Sequence, residues 1–310
     1  FFFKQKTAYE IVDCDWSSDV CSSDLFNVPE TLVSLARRND YSKGRADYSA
    51  TEIISPPRIQ RLRRKHWEEM EEDVSDMLWQ LLGSALHVVA ERGQAEGHRN
   101  EERLFAEING VTLSGAIDVQ QETPEGLILM DYKFTSVWAV MREKPEWEQQ
   151  LNIYAWLVRK AKDERIAGLR IVALIRDWNR RESLLKADYP SSPIHVVDIP
   201  VWPQEKVEQF ILERIDLHQD GRAAMALDEE PPLCTSEDRW ERPTMWAVKK
   251  EGRKTAIKVF DNEADAKVKA EQEKGYVEVR KGESIRCTGN YCGVRQWCSQ
   301  YRPEDAGGDE

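Results

Sequence analysis

Gly115-Ala116-Ile117-Asp118-Val119 and, after a polar break, Leu127-Ile128-Leu129-Met130-Asp131-Tyr132-Lys133 decide how this chain is read. Residues 111–119 and 127–134 are strand-like runs, and residues 120–126 between them hold a Thr-Pro pair and a glycine. That pattern predicts an antiparallel hairpin. Side chains at i and i+2 of a strand share a face. Asp131 and Lys133 therefore project one way, and Met130 and Tyr132 the other. An acid and a lysine on one face of an apolar strand are costly to bury unpaired. Asp118, on the partner strand, brings a second carboxylate beside Asp131. Two carboxylates and a backbone carbonyl suit a hard divalent cation that keeps several waters. A lysine beside that cation orients an attacking water and steadies charge developing on a phosphate. The plainer alternative is an Asp-x-Lys ion pair on a solvated strand edge.

Working outward, residues 73–92 carry Val74, Met77, Leu78, Leu81, Leu82, Leu86 and Val89 at near-helical spacing, which predicts an amphipathic helix. His87 lies inside it, either as a packed core histidine or as a neutral imidazole ligand at the edge of the core. Glu101, Glu102 and Glu107 follow, read as a solvated charge run of which one member could face the site. Residues 146–161 form a second amphipathic helix with Leu151, Tyr154, Ala155 and Leu157 on its apolar stripe. Gln150 and Tyr154 are four apart and share a face. They either bind a phosphate and position Lys133, or cap and pack the core. Strands are expected over 169–178 and 194–201, and a helix over 203–218. The order helix, hairpin, helix, strand, strand, helix describes a mixed α/β sheet with flanking helices.

Upstream, residues 26–50 are turn-rich without a clear period, and residues 48–57 read as a short helix halted by Pro56 and Pro57. Residues 58–65 hold five basic side chains in eight, available for phosphate contact or for a solvated face.

The chain has 310 residues and a formal net charge of −12, which disfavours non-specific nucleic-acid binding by the whole surface but not by a local groove. No apolar run is long enough for a membrane span, so no membrane association is expected. Residues 4–25 resemble a translated short-read sequencing adapter, ending Asp15-Trp16-Ser17-Ser18-Asp19-Val20-Cys21-Ser22-Ser23-Asp24-Leu25. Residues 1–25 are accordingly expected to lie outside the fold, with a core over 26–230, a cysteine-bounded module over 231–300 and a disordered acidic tail over 301–310.

Setting aside Cys14 and Cys21 leaves Cys234, Cys287, Cys292 and Cys298. Between the first two, residues 246–260 read as a hairpin, 263–274 as a helix and 276–280 as a strand, a small α+β module. Without a signal segment, structural disulfides are not expected. Four thiolates suit a [4Fe–4S] cluster or tetrahedral Zn²⁺. Paired Cys-x-x-Cys knuckles are absent, and three clustered cysteines with one remote favour the cluster. Free thiols are the third option. The cluster would staple the C-terminal segment back to the residues before the module.

Gly83-x-x-x-His87, Gly115-x-x-Asp118, Asp131-x-Lys133 and Gln150-x-x-x-Tyr154, in that order, resemble the PD-(D/E)xK nucleases of the RecB/AddB type, which include the CRISPR adaptation exonuclease and phage exonucleases. The likeness spans roughly residues 48–218, and the trailing cysteines resemble the iron–sulfur staple of several members. It implies a restriction-endonuclease-like fold and a metal-dependent DNA nuclease, an exonuclease of recombination, repair, phage or CRISPR-type processing. It implies Mg²⁺ or Mn²⁺ held by His87, Asp118, Asp131 and the carbonyl of Tyr132, with Lys133 activating water and Gln150 and Tyr154 positioning DNA or the lysine. The partners implied are DNA ends or single strands and a recombinase, helicase or CRISPR adaptation protein, in the cytoplasm of a bacterial or phage-infected cell. Trp138, Trp147 and Trp156 are candidates to stack on unpaired bases, with core packing the expectation for at least two of them. A departure is that Cys234 follows the core, where a cluster cysteine of the CRISPR-associated members precedes it. A non-catalytic DNA-binding or assembly subunit with a metal-stapled fold is the alternative function.

Overall fold

The computed structural model describes residues 28–37, 42–70, 74, 77–93, 95–142 and 144–301. The proposed adapter segment, Asp73 and residues 302–310 lie outside the described residues. The chain divides into two compact units, one holding residues up to 55 with 67–220, the other residues 56–66 with those from 221 on.

The elements up to residue 226 are α1 (Glu30–Arg37), β1 (Tyr48–Ser49), α2 (Ala50–Ile54), α3 (Pro57–Lys65), α4 (Leu78–Glu91), β2 (His98–Ile108), β3 (Val111–Thr123), β4 (Gly126–Thr135), α5 (Val137–Val140), α6 (Pro145–Lys162), β5 (Ile166–Ile175), α7 (Arg180–Leu185), β6 (Ile194–Ile199) and α8 (Gln204–Ala226). The first unit is built on a six-stranded sheet in the order β1-β3-β4-β5-β6, with β2 paired to β3. β3 and β4 are antiparallel, β4 and β5 parallel, β5 and β6 antiparallel. The parallel β4–β5 pair requires a crossover, and α6 supplies it. The expected mixed sheet with flanking helices is therefore the architecture observed.

α6 is buried along most of its length because its apolar side chains cover the sheet. Leu151, Ile153, Trp156 and Leu157 join Leu113, Ile117, Leu129, Leu169 and Ile171 in one core. Each such side chain contributes about 1.5–3 kcal/mol by leaving water. Ser49 opens α2 with a reciprocal cap, accepting from Glu52 N while its own N–H donates to Glu52 Oε2. Arg214 of α8 donates to the carbonyls of Ile53, Ile54 and Ser55, which satisfies the other end of that helix.

Several expectations change. The hairpin is the second half of a three-strand meander, because residues 98–108, read as a charge run, form β2. Their charges are matched across the fold: Arg99 pairs with Glu122 and Glu164, and Glu102 with Lys162. The ladder runs out to Thr123↔Gly126, so the turn is shorter than 120–126. Residues 30–37 are helical. α4 keeps its helix, but Leu78, Leu82 and Val89, expected in the core, are exposed. No helix among the described residues is long and apolar enough to cross a membrane.

In the second unit, β7 (Glu241–Arg242), β8 (Met245–Lys249), β9 (Lys258–Phe260), α9 (Glu263–Glu273), β10 (Tyr276–Arg280), β11 (Glu283–Ser284) and α10 (Ile285–Thr288) follow α8. β8, β9 and β10 make a three-stranded sheet against which α9 packs Ala266 and Ala270. α3 joins this unit. Its Arg58 and Arg61 are buried, which removes both from any phosphate-binding face.

Candidate active site and thiol pocket

β3 and β4 stop pairing at Val119↔Met130. One place further, the register sets Asp118 against Asp131, and the Asp118 side chain takes over the missing acceptor's role: Tyr132 N–H donates to Asp118 Oδ2 at 2.7 Å. The two acids therefore lie on the same side of the ribbon, and both are buried. A Cβ at Gly115 would fall 2.7 Å from Leu157 Cδ1 and Tyr154 Cε1. The glycine lets α6 approach the sheet closely enough to lay Gln150 and Tyr154 onto the acids.

Gln150 braces the group. Its Nε2 donates to Asp131 Oδ1 at 3.0 Å and to the Tyr154 hydroxyl at 2.7 Å, and its Oε1 accepts from Lys133 Nζ at 3.0 Å. Lys133 Nζ lies 2.6 Å from Asp131 Oδ2, an ion pair outside hydrogen-bond geometry, and among the described residues that buried oxygen accepts no hydrogen bond. From α4, His87 Nδ1 comes within 3.4 Å of Asp118 Oδ2 and 3.7 Å of Glu101 Oε1. Donor atoms of His87, Glu101 and Asp118 all lie within 4.8 Å of one another, close enough to share a metal ion.

The electrostatics follow from the crowding. Burial, then the charge of Asp131, pushes the Asp118 carboxyl up to about 7. The nearby Glu101 carboxylate, with the charges of Asp118 and Asp131, raises His87 against the opposing effect of burial. Protons here partly offset a surplus of carboxylate charge that a divalent cation would balance.

The structure brings His87, Asp118, Asp131, Lys133, Gln150 and Tyr154 together, and Tyr132 joins them through its N–H. Of the three acids Glu101, Glu102 and Glu107, one of which could face the site, Glu101 does so, and no period or motif singles it out from the other two. Of the tryptophans, Trp156 is wholly buried and donates to Glu208, and Trp147 packs on the core. Trp138 is exposed, with the Arg142 guanidinium 3.1 Å over its ring.

In the second unit Cys234, Cys287, Cys292 and Cys298 line one pocket together with Ile59, Leu62 and Val294. All four are free thiols. Burial pushes Cys234 up to about 12 and raises Cys287 and Cys292. Arg58 Nε donates to Cys298 Sγ at 3.3 Å, and its remaining donors reach Pro231 O at 2.6 Å, Ser299 Oγ at 2.6 Å and the Glu230 carboxylate.

A family model described as the PD-(D/E)XK nuclease superfamily matches residues 36–299. No curated protein matches the chain. Among solved structures, SSO0001 aligns at 19% identity and a TM-score of 0.42 over 61% of this chain and 85% of its own. A candidate exonuclease from Eubacterium rectale aligns at 11% identity and a TM-score of 0.29 over 52% of this chain and 60% of its own.

Proposed function

Because the chain belongs to the PD-(D/E)XK nuclease superfamily, we propose that it is a Mg²⁺- or Mn²⁺-dependent deoxyribonuclease of the RecB/AddB type. Its substrates would be DNA ends or single strands, within recombination, repair, phage or CRISPR-type processing. One observation carries the reading: Asp118 and Asp131 sit side by side, with Lys133 paired to Asp131 and both held by Gln150.

His87, Asp118, Asp131 and the Tyr132 carbonyl would hold the cation. When bound, it would polarise the phosphate and acidify a water. Lys133, held between Asp131 and Gln150, would orient water and offset the negative charge growing on a phosphate brought to the site. Gln150 keeps the ammonium from swinging away. Tyr154, hydrogen-bonded to Gln150, fixes the amide's orientation.

The four cysteines fit a [4Fe–4S] cluster. They come from distant parts of the chain to one pocket, and none is spent in a disulfide among the described residues. Reduced thiols of this kind suit the cytoplasm. Zn²⁺ is the alternative occupant: a colourless, zinc-containing protein would establish it, and a brown one with broad visible absorption would exclude it.

The test is degradation of end-labelled DNA in Mg²⁺ or Mn²⁺ by wild type and Asp131→Ala. Wild type is expected to shorten the label progressively and the variant to leave it intact. Equal rates from the two proteins sink the mechanism. DNA binding without cleavage under either metal identifies a non-catalytic subunit instead.

A further inference from the structure

We propose that Glu101, on a strand outside every motif of the site, is itself a ligand of the divalent cation, which sits among His87, Glu101 and Asp118. The inference rests on the nuclease reading and adds a residue to it. The β2–β3 ladder pairs Asn100 with Val119 and Glu102 with Ile117, and Glu101 and Asp118 between them stand opposite each other without a pairing of their own. Glu101 has φ +49°, the left-handed region, in the middle of a strand. A non-glycine residue is strained there unless its surroundings hold it. The result of that strain is specific: the carboxylate reaches the site, within 3.7 Å of His87, and breaks the solvated run to which it belongs by sequence.

The neighbouring charges on β2 are used elsewhere, Arg99 by Glu122 and Glu164, Glu102 by Gln120 and Lys162. Glu101 therefore faces the site with a histidine and a second acid, and a single imidazolium offsets only part of their negative charge. A separate feature points the same way. Asp131 is 2% exposed, its charge acts on both Asp118 and His87, and its Oδ2 meets the Lys133 ammonium at 2.6 Å while accepting no hydrogen bond among the described residues. Three carboxylates and an imidazole make a hard, oxygen-rich set with one nitrogen, which Mn²⁺ accepts more readily than Mg²⁺.

The experiment measures Mn²⁺ binding to the full-length, metal-stripped protein by calorimetry and by loss of the free-ion electron paramagnetic resonance signal. Wild type, Glu101→Gln, Asp131→Asn, His87→Ala and the His87→Ala/Glu101→Gln double variant are compared. Glu101→Gln is expected to weaken Mn²⁺ binding at least about tenfold, and the double variant to bind more weakly than His87→Ala alone. Metal-free thermal unfolding of Glu101→Gln should stay close to wild type, since the carboxylate both crowds Asp118 and pairs with His87. Should that variant unfold early, Glu101→Asp, which keeps the charge but shortens the reach, serves in its place. Unchanged affinity in Glu101→Gln, with Asp131→Asn impaired, overturns this proposal and leaves the nuclease reading standing. A double variant equal to His87→Ala also overturns it, reducing Glu101 to a residue that positions the histidine. Absence of Mn²⁺ binding by wild type overturns the nuclease reading itself.

Discussion

The carboxylate site of the first unit and the thiol pocket of the second are assembled in opposite ways. Each principal acid of the first is held by protein: Asp118 by Tyr132 N–H, Asp131 by Gln150 and Lys133. Its supports are neighbouring strands and a helix packed on one large core. The pocket of the second draws on residues 58, 234 and 287–298, joined by short elements and by the fan of donors on Arg58. Its small core is centred on Val248, Ala266 and Ala270. The difference teaches which site would be finished before a proposed metal arrives. A preorganised site loses chemistry when its cation is removed; a site whose ligands are the main cross-links loses structure.

The largest effect should come from the pocket. If the pocket holds the proposed cluster, Cys292→Ser is expected to abolish visible absorption and cost on the order of 5 kcal/mol in the second unit, read as early protease cleavage beyond residue 221. EDTA treatment should leave the melting of the first unit nearly unchanged. If EDTA melts the first unit and Cys292→Ser spares the second, the comparison is reversed.

Next, Asp131→Asn should lower the cleavage rate roughly 10³-fold while far-ultraviolet circular dichroism stays native, because the amide keeps the Gln150 contact on one side. A variant that loses its fold would mean that the acid is structural after all. Gln150→Ala should cost about 10- to 100-fold in kcat with KM little changed, since it releases Lys133 without removing it. A rise in KM alone would place Gln150 in DNA binding.

The smallest effect is on pH. Asp118 is pushed up to about 7 from an ordinary 3.8. A carboxyl raised on folding binds its proton more tightly in the folded state. Its contribution to metal-free stability is therefore present below about pH 4 and lost as pH rises towards 7. Asp118→Asn should flatten that part of the Tm profile of the metal-free protein by a few degrees. An unchanged slope would show that Asp118 is not the group responsible.

Much of the first unit could be read without coordinates, because its elements announce themselves by local period. The apolar alternation of residues 127–133, the helical stripe around Leu151 and Leu157, and the ordered glycine, acid, lysine and glutamine motifs each depend on neighbours within a few residues. β2 could not be read in this way. His98–Ile108 carries alternating charges whose partners lie on β3 and α6, so its polarity mimics a solvated segment. Arg58 misled for the same reason, since a basic cluster looks solvated until its acceptors arrive from residues 230–299.

By itself, the sequence determined the mixed sheet, the pairing of Asp118 with Asp131 across a hairpin, and the four cysteines as a set. Only the tertiary structure decided that Glu101 turns out of its strand to meet His87, that Trp156 belongs to the core, and that Arg58 is spent on a thiol. The physical reason is range. Hydrophobic periodicity is written within one element, whereas the partner that satisfies a charge or strains a backbone is chosen by contacts between elements far apart in the chain.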